Sequence, residues 1–295
     1  MNDQARLLRE QIERHRGSSG QEGRPHKEAK SLAIISGKGG VGKSNFSLNF
    51  SIALQQKGNK VLLFDLDIGM ANIDILMGTT QGYSIVHLFE EGRTLDQIIQ
   101  RGPGNLSYIA GGSGLTEIFK MDEQKRRYFL SQLEEASSQY DYIIFDMGAG
   151  ITDETLQLLL SVEEIFLLTT CEPTSLTDAY SALKYINIHE DSIPFKLLLN
   201  KVPDFHVATK TAERLQAVAK QFLKKDLPYL GSIPDDRYVL HAVMEQTPFV
   251  LKYPKCQASR AIANIASFYL EDKKKSSTST DQKPSFVAKL LRLFS

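Results

Sequence analysis

Eight consecutive residues, Gly37-Lys38-Gly39-Gly40-Val41-Gly42-Lys43-Ser44, have the types and spacing to act together on one anion. Glycines let the backbone turn sharply and aim successive N–H groups at a single point. A helix beginning at the end of such a turn adds partial positive charge. Lys43 can reach the terminal phosphates of a nucleotide, and Ser44 offers a hydroxyl to Mg²⁺. The apolar run Leu32-Ala33-Ile34-Ile35 before the glycines reads as a buried strand, and Phe46, Leu48, Ile52, Ala53 and Leu54 after them follow a helical pattern. Strand, glycine turn and helix are the context a phosphate-binding loop requires. Lys38 is a second cation beside the phosphates, which an ordinary loop of this type does not need.

Acids stand at the ends of two further strands. Lys60-Val61-Leu62-Leu63-Phe64 runs into Asp65-Leu66-Asp67, and Tyr142-Ile143-Ile144-Phe145 runs into Asp146-Met147-Gly148. The carboxyl ends of strands are where α/β sheets bind ligands. Asp65 could hold Mg²⁺ through water and Asp67 could orient an attacking water, or one of the two only caps the following turn. Asp146 suits the Mg²⁺ shell, and the Gly148 backbone N–H suits the γ-phosphate. Asn200 ends the strand Lys196–Leu199, where an amide can pair with the adenine edge through its donor and acceptor. The run Gly111–Gly114 lacks a following lysine and helix start, so a flexible loop at the sheet edge explains it at least as well as a second phosphate site.

Apolar strands alternate with helical patterns throughout. That order predicts an α/β fold: a doubly wound, mostly parallel sheet with helices on both faces, in a single domain. The chain has 295 residues, 42% of them hydrophobic, enough for one large core. Its formal net charge is zero, which argues against a protein that coats DNA, so no nucleic-acid partner is expected. Two cysteines, Cys171 and Cys256, with no C-x-x-C spacing, disfavour a zinc or iron–sulfur site and fit a reducing compartment.

Both ends differ in composition from the middle. Residues 1–16 read as a short helix, marginal alone and suited to ordering on a partner, with a frayed terminus as the alternative. Residues 17–30 read as a linker, 31–270 as the domain closed by a helix from Cys256 to Leu270, and 271–285 as a low-complexity linker. Residues 286–295 form an amphipathic segment. At about 100° per residue, Phe286, Val287, Leu290, Leu291, Leu293 and Phe294 fall within an arc of roughly 160°, opposite Lys289 and Arg292. Such a helix can lie on a membrane or dock back on its own domain.

The pattern K-G-G-x-G-K-S resembles the deviant Walker A motif of the MinD/ParA ATPases. Asp65-Leu66-Asp67-Ile68-Gly69-Met70-Ala71-Asn72-Ile73-Asp74 is similar to their switch I segment, and Asp146-Met147-Gly148 to their switch II, with Met147 where the family usually has proline. The resemblance implies ATP and ADP as ligands with Mg²⁺, hydrolysis supported by Asp67, and an ATP-bound homodimer in which Lys38 reaches the partner's nucleotide. It further implies that Asp178 pairs with Lys38 in one nucleotide state, that Asn200 and the loop Pro234-Asp235 flank the base, and that the C-terminal helix targets the membrane. Asp3-Gln4-Ala5-Arg6-Leu7-Leu8-Arg9 fits D-Q-A-x-x-L-R, the N-terminal motif of the FlhG (YlxH) family, MinD-like regulators of flagellar number and placement. That match implies that Asp3, Gln4, Ala5, Leu8 and Arg9 contact a partner, the SRP-type GTPase FlhF, whose GTPase the motif stimulates. Flagellar C-ring proteins are further partners implied by it. The protein would be cytoplasmic and reversibly bound to the inner face of the cell membrane. A septum-placement MinD and a DNA-partition ATPase are the alternatives.

Overall fold

A computed structural model describes residues 28–67, 72–79, 82–111, 123–276 and 286–294. The loop with Gly69, the run Gly112–Gly114 and the N-terminal motif residues Asp3, Gln4, Ala5, Leu8 and Arg9 lie outside them. The strands are β1 (Lys30–Ile35), β2 (Val61–Leu66), β3 (Gln100–Arg101), β4 (Ser107–Ile109), β5 (Tyr142–Met147), β6 (Glu164–Thr169), β7 (Phe195–Val202) and β8 (Tyr229–Pro234). They form one sheet in the order β3-β4-β2-β5-β1-β6-β7-β8. Every pairing is parallel except the short edge pair β3–β4. The expected doubly wound, mostly parallel sheet is therefore present.

β1 is buried on both faces beyond Lys30, so Leu32–Ile35 are apolar without alternation. The pleat sends Ala33 and Ile35 into a first core cluster and Leu32 and Ile34 into a second, one on each side of the sheet. Helix α1 (Lys43–Gln56) packs six apolar residues into the second cluster, and Lys43, Ser47, Asn49 and Ser51 are buried beside them. The register sets Asp65 of β2 directly beside Asp146 of β5, and Ile34 of β1 on the other flank of Asp146. Two acids far apart in sequence thus meet at the carboxyl edge of the sheet, next to the glycine loop that leaves β1.

Helices α2 (Asn72–Met77), α3 (Ile85–Glu90) and α4 (Leu95–Ile98) flank the β2–β4 side. Then come α5 (Glu123–Gln139), α6 (Asp153–Ser161), α7 (Pro173–His189) and α8 (Phe205–Val218). The chain closes with α9 (Arg237–Met244), α10 (Phe249–Lys252), α11 (Gln257–Ser276) and α12 (Phe286–Phe294). Among the described residues no helix is long and apolar enough to cross a membrane.

Two expectations change at the C-terminal end. The last helix of the domain does not stop at Leu270: α11 runs to Ser276, so the linker expected over 271–285 begins with helix. Composition there is highly charged, and two of the charges are held by the domain. Asp272 bonds Lys196 Nζ at 2.7 Å, and Lys273 lies 3.1 Å from the buried Glu164, which Lys30 and the Tyr269 hydroxyl also reach. The second change concerns α12. Its residues Phe286, Val287 and Leu290, expected to face a membrane, are buried in the first core cluster. The helix lies against α6 and α5, and the Phe286 ring sits 5.2 Å from that of Phe145. The apolar stripe is satisfied equally by lipid or by a protein seat, and here it has the seat. The side chains of Leu291, Leu293 and Phe294 lie outside the described residues.

Candidate functional site

The glycine loop turns between β1 and α1 through two left-handed positions, Gly40 (φ 78°) and Gly42 (φ 92°). Both are conformations L side chains rarely adopt. Contact adds to torsion at Gly42, where a Cβ would lie 2.4 Å from Asn200 Nδ2. Gly37 meets the backbone of Asp178 at 2.1 Å on the same test, so α7 packs directly on the loop. That loop is held from outside too. Asn200 Nδ2 donates to the Val41 carbonyl at 2.8 Å, and Lys201 Nζ donates to the Gly40 carbonyl at 2.9 Å. With carbonyls engaged outward, the N–H groups are left for an anion.

Lys43 opens α1 and is buried; its Nζ donates to Asp146 Oδ1 at 3.2 Å. Ser47, one turn on, donates to the same oxygen at 2.8 Å. Asp146 Oδ2 is fully buried and has no hydrogen-bond partner among the described residues. An orphaned carboxylate oxygen is costly unless something pairs with it. Beside the hydroxyl of Ser44, an oxygen donor set of this kind fits Mg²⁺, which takes one or two protein oxygens and keeps waters and phosphates for the rest.

Asp65, expected to hold Mg²⁺ through water, is engaged by backbone donors. Oδ1 accepts from the Asp67 N–H, and Oδ2 accepts from the N–H groups of Asn72 and Ile73, each at 3.1 Å. Both oxygens accept backbone donors that close the loop from β2 into α2. Burial, with the Asp146 charge alongside, pushes its carboxyl up to about 7. Asp67 remains half-exposed at the mouth of the site. Asn72 Nδ2 donates to its Oδ2 at 2.8 Å, and a Cβ on Gly148 would come within 3.2 Å of its Oδ1. Its carboxyl is raised by burial, with Lys43 pulling the other way. The two segments expected to form switches therefore meet at Asp67 and Gly148.

Lys38, expected to pair with Asp178 in one nucleotide state, has other partners here. It is paired with Glu172 Oε2 at 3.6 Å and Thr174 Oγ1 at 3.4 Å, in the turn entering α7, and not with Asp178. Asp178 meets the loop through its backbone, at Gly37. Glu172 precedes Pro173 in a fixed turn, which brings its carboxylate to the exposed lysine.

A cavity of about 600 Å³ opens beside Gly42 and is lined by Asn45, Phe46, Asn200, Pro234 and Asp235 among others. The residues expected to flank the base are thus brought together beside the phosphate loop. Sequence reasoning did not single out Ser47, Glu172, Thr174, Lys201 or Asn45 as site residues. Only Ser47 had a local signal, a hydroxyl one helical turn after the loop lysine.

The chain matches the family described as AAA domain over residues 29–198. It is 36% identical over 240 residues to the flagellum site-determining protein YlxH of Helicobacter pylori, covering 80% of each chain. It is 31% identical over 235 residues to the antiactivator FleN of Pseudomonas aeruginosa, covering 80% of this chain and 84% of that one. Among solved structures, the septum site-determining protein MinD of Pyrococcus horikoshii, complexed with Mg-ADP, superposes with a TM-score of 0.67 at 25% identity. That match covers 86% of this chain and all of the other.

Proposed function

This chain belongs to the AAA-domain family and, with FleN and YlxH, to the flagellar branch of the MinD-like ATPases, and from that premise we propose that it is an ATP-driven switch between a cytosolic monomer and a membrane-bound dimer. It is an ATPase. ATP is held by the loop Gly37–Ser44, with Lys43 on the terminal phosphates and Asn200, Pro234 and Asp235 around the base. Ser44 and Asp146 would hold Mg²⁺, which would neutralise charge on the phosphates. Asp67 orients the attacking water, and Lys38 leaves Glu172 to reach the nucleotide of a second copy.

One observation carries the membrane half of this reading. Phe286 of the tail helix packs on Phe145, the residue before Asp146. A shift at Asp146 on ATP binding is therefore felt one residue away by the seat of α12. Core contacts are close-packed and transmit such shifts. Once undocked, α12 offers lipid the same apolar face, and Lys289 and Arg292 meet anionic headgroups. One helix of nine residues binds weakly, whereas two in a dimer gain from effective concentration.

The N-terminal motif Asp3, Gln4, Ala5, Leu8 and Arg9 engages the SRP-type GTPase FlhF and stimulates it, with Gln4 near the partner's attacking water. Flagellar C-ring proteins are further partners. The domain plan is a partner-activating helix (1–16), a linker, the ATPase domain and the tail helix. Hydrogen exchange over residues 286–294, with ADP and with a non-hydrolysable ATP analogue, tests the switch. Protection with ADP and its loss with the analogue support it; equal protection in both states contradicts it.

A further inference from the structure

Asn45 sits in the first turn of α1, two residues after Lys43, and forms part of the wall of the nucleotide cavity. Its side-chain amide has an oxygen end and a nitrogen end. Which of them faces the cavity decides whether the group repels or attracts a phosphate.

A relay that begins in another helix fixes the choice. The backbone N–H of Val250, in α10, meets Asn49 Oδ1 at 3.0 Å. A backbone N–H can only donate, so the atom it meets must be the oxygen of the Asn49 amide. The nitrogen end of Asn49 then faces the other way, 2.7 Å from the Asn45 carbonyl and 2.8 Å from Asn45 Oδ1. The backbone carbonyl can only accept, so it demands the same orientation from the opposite side. Asn49 is fully buried, and neither of its ends can turn to water without leaving a partner unpaired. Oδ1 of Asn45 is thus held inward, and its Nδ2 is left for the cavity, with no hydrogen-bond partner among the described residues.

We propose that Asn49 is a positioning residue that turns the donor end of Asn45 toward bound nucleotide, where Nδ2 donates to a non-bridging oxygen of the phosphate nearest the nucleoside. This rests on reading the cavity as an ATP site. Lys43, at the start of α1, serves the terminal phosphates, whereas Asn200 and Asp235 flank the base. Asn45 shares the cavity lining with Gly42, Asn200 and Asp235, two residues beyond Lys43 in sequence, which suits it to the innermost phosphate. A bond to a charged oxygen is among the stronger hydrogen bonds. The opposite orientation would set a carbonyl dipole against the same charge.

The test is Mg-ADP binding to the full chain by calorimetry, with ATP turnover alongside. Asn45→Ala weakens ADP binding roughly tenfold or more, the loss expected for one hydrogen bond to a charged group. Asn45→Asp weakens it further, because one oxygen still accepts from Asn49 while the other faces the phosphate. Asn49→Ala weakens binding in the native background, since Asn45 is then free to turn, and has less than a twofold effect when added to Asn45→Ala. The KM for ATP rises with these changes while kcat falls by less. An Asn45→Ala variant that binds within twofold of the native chain overturns the proposal. So does an Asn49→Ala effect that persists in full on the Asn45→Ala background, since Asn49 would then act through α10 alone. Should Asn49→Ala fail to fold, Asn45→Asp binding as well as Asn45→Ala is the overturning result. Failure of the native chain to bind Mg-ADP sinks the ATP-site reading itself, an outcome distinct from all of these.

Discussion

Replacing Glu172 with glutamine bears directly on the proposed reach of Lys38 into a second copy. The two side chains are 3.6 Å apart and substantially exposed, 45% for the lysine and 67% for the acid. An exposed pair of this kind contributes about 0.2–1 kcal/mol. Lys38 must leave it before it can reach a nucleotide in a second copy, and a symmetric dimer breaks two such pairs. Removing both contributions favours the dimer by about 0.4–2 kcal/mol, which is roughly a 2- to 30-fold tighter dimer Kd. The Thr174 hydroxyl, 3.4 Å from Nζ, stays in place and keeps the gain toward the lower end. Sedimentation velocity of Glu172→Gln with Mg²⁺ and a non-hydrolysable ATP analogue reads this directly. At low ionic strength the variant dimerises more tightly than the native chain, and the difference narrows at about 1 M salt, where the Debye length is roughly 3 Å. An unchanged Kd refutes the reasoning, because Lys38 would not then be drawn from Glu172. A weaker dimer refutes it differently, by assigning Glu172 itself to the interface.

Three further outcomes are expected. Ser47→Ala removes a buried 2.8 Å bond to Asp146 and lowers the unfolding free energy of the nucleotide-free chain by about 1.5–3 kcal/mol in urea titrations; a loss below about 0.5 kcal/mol means the bond is replaced at once. Asp65 has a folded-state pKa raised to about 7, so the folded chain holds its proton better than the unfolded chain does. The stability this confers is complete below the ordinary carboxyl range and is lost as pH rises through 7. Between pH 6 and 8 the nucleotide-free chain loses about 1.4 kcal/mol from this group, a slope that Asp65→Asn removes; an equal slope in the variant assigns the effect elsewhere. Gln4→Ala leaves ATP turnover by the chain within twofold and abolishes its stimulation of the partner GTPase in a phosphate-release assay, where undiminished stimulation counts against the motif.

The chemistry of the loop was legible in the sequence because its constraints are local. Glycines at left-handed positions, a lysine and a hydroxyl at the start of a helix, and acids at strand ends all declare themselves by spacing. The pairing of Asp65 with Asp146 was not readable, since it depends on β5 lying between β1 and β2 in the sheet. The same limit hid the engagement of both Asp65 oxygens. Their donors come from Asp67, Asn72 and Ile73, and nothing in residue type tells a carboxylate that closes a loop from one that binds a metal. Lys38, expected to pair with Asp178 in one nucleotide state, lies here beside Glu172, and it is the backbone of Asp178, not its carboxylate, that is pressed against Gly37. The tail is the plainest case. Periodicity predicted the α12 helix and its apolar stripe, but a stripe specifies only that something apolar covers it. Asn45 and Asn49 stand four apart on α1, a spacing that permits a contact, yet the direction of their amides is set by Val250, two hundred residues away.

Vesicle co-sedimentation tests the central claim most directly. Vesicles of phosphatidylcholine and phosphatidylglycerol are spun with the full chain, or with a chain ending at Ser276, in Mg-ADP or in Mg²⁺ with a non-hydrolysable ATP analogue. An ATP-gated tail predicts that only the full chain pellets with vesicles, and mainly with the analogue. Binding that is equal in ADP and the analogue, or that survives removal of α12, contradicts it.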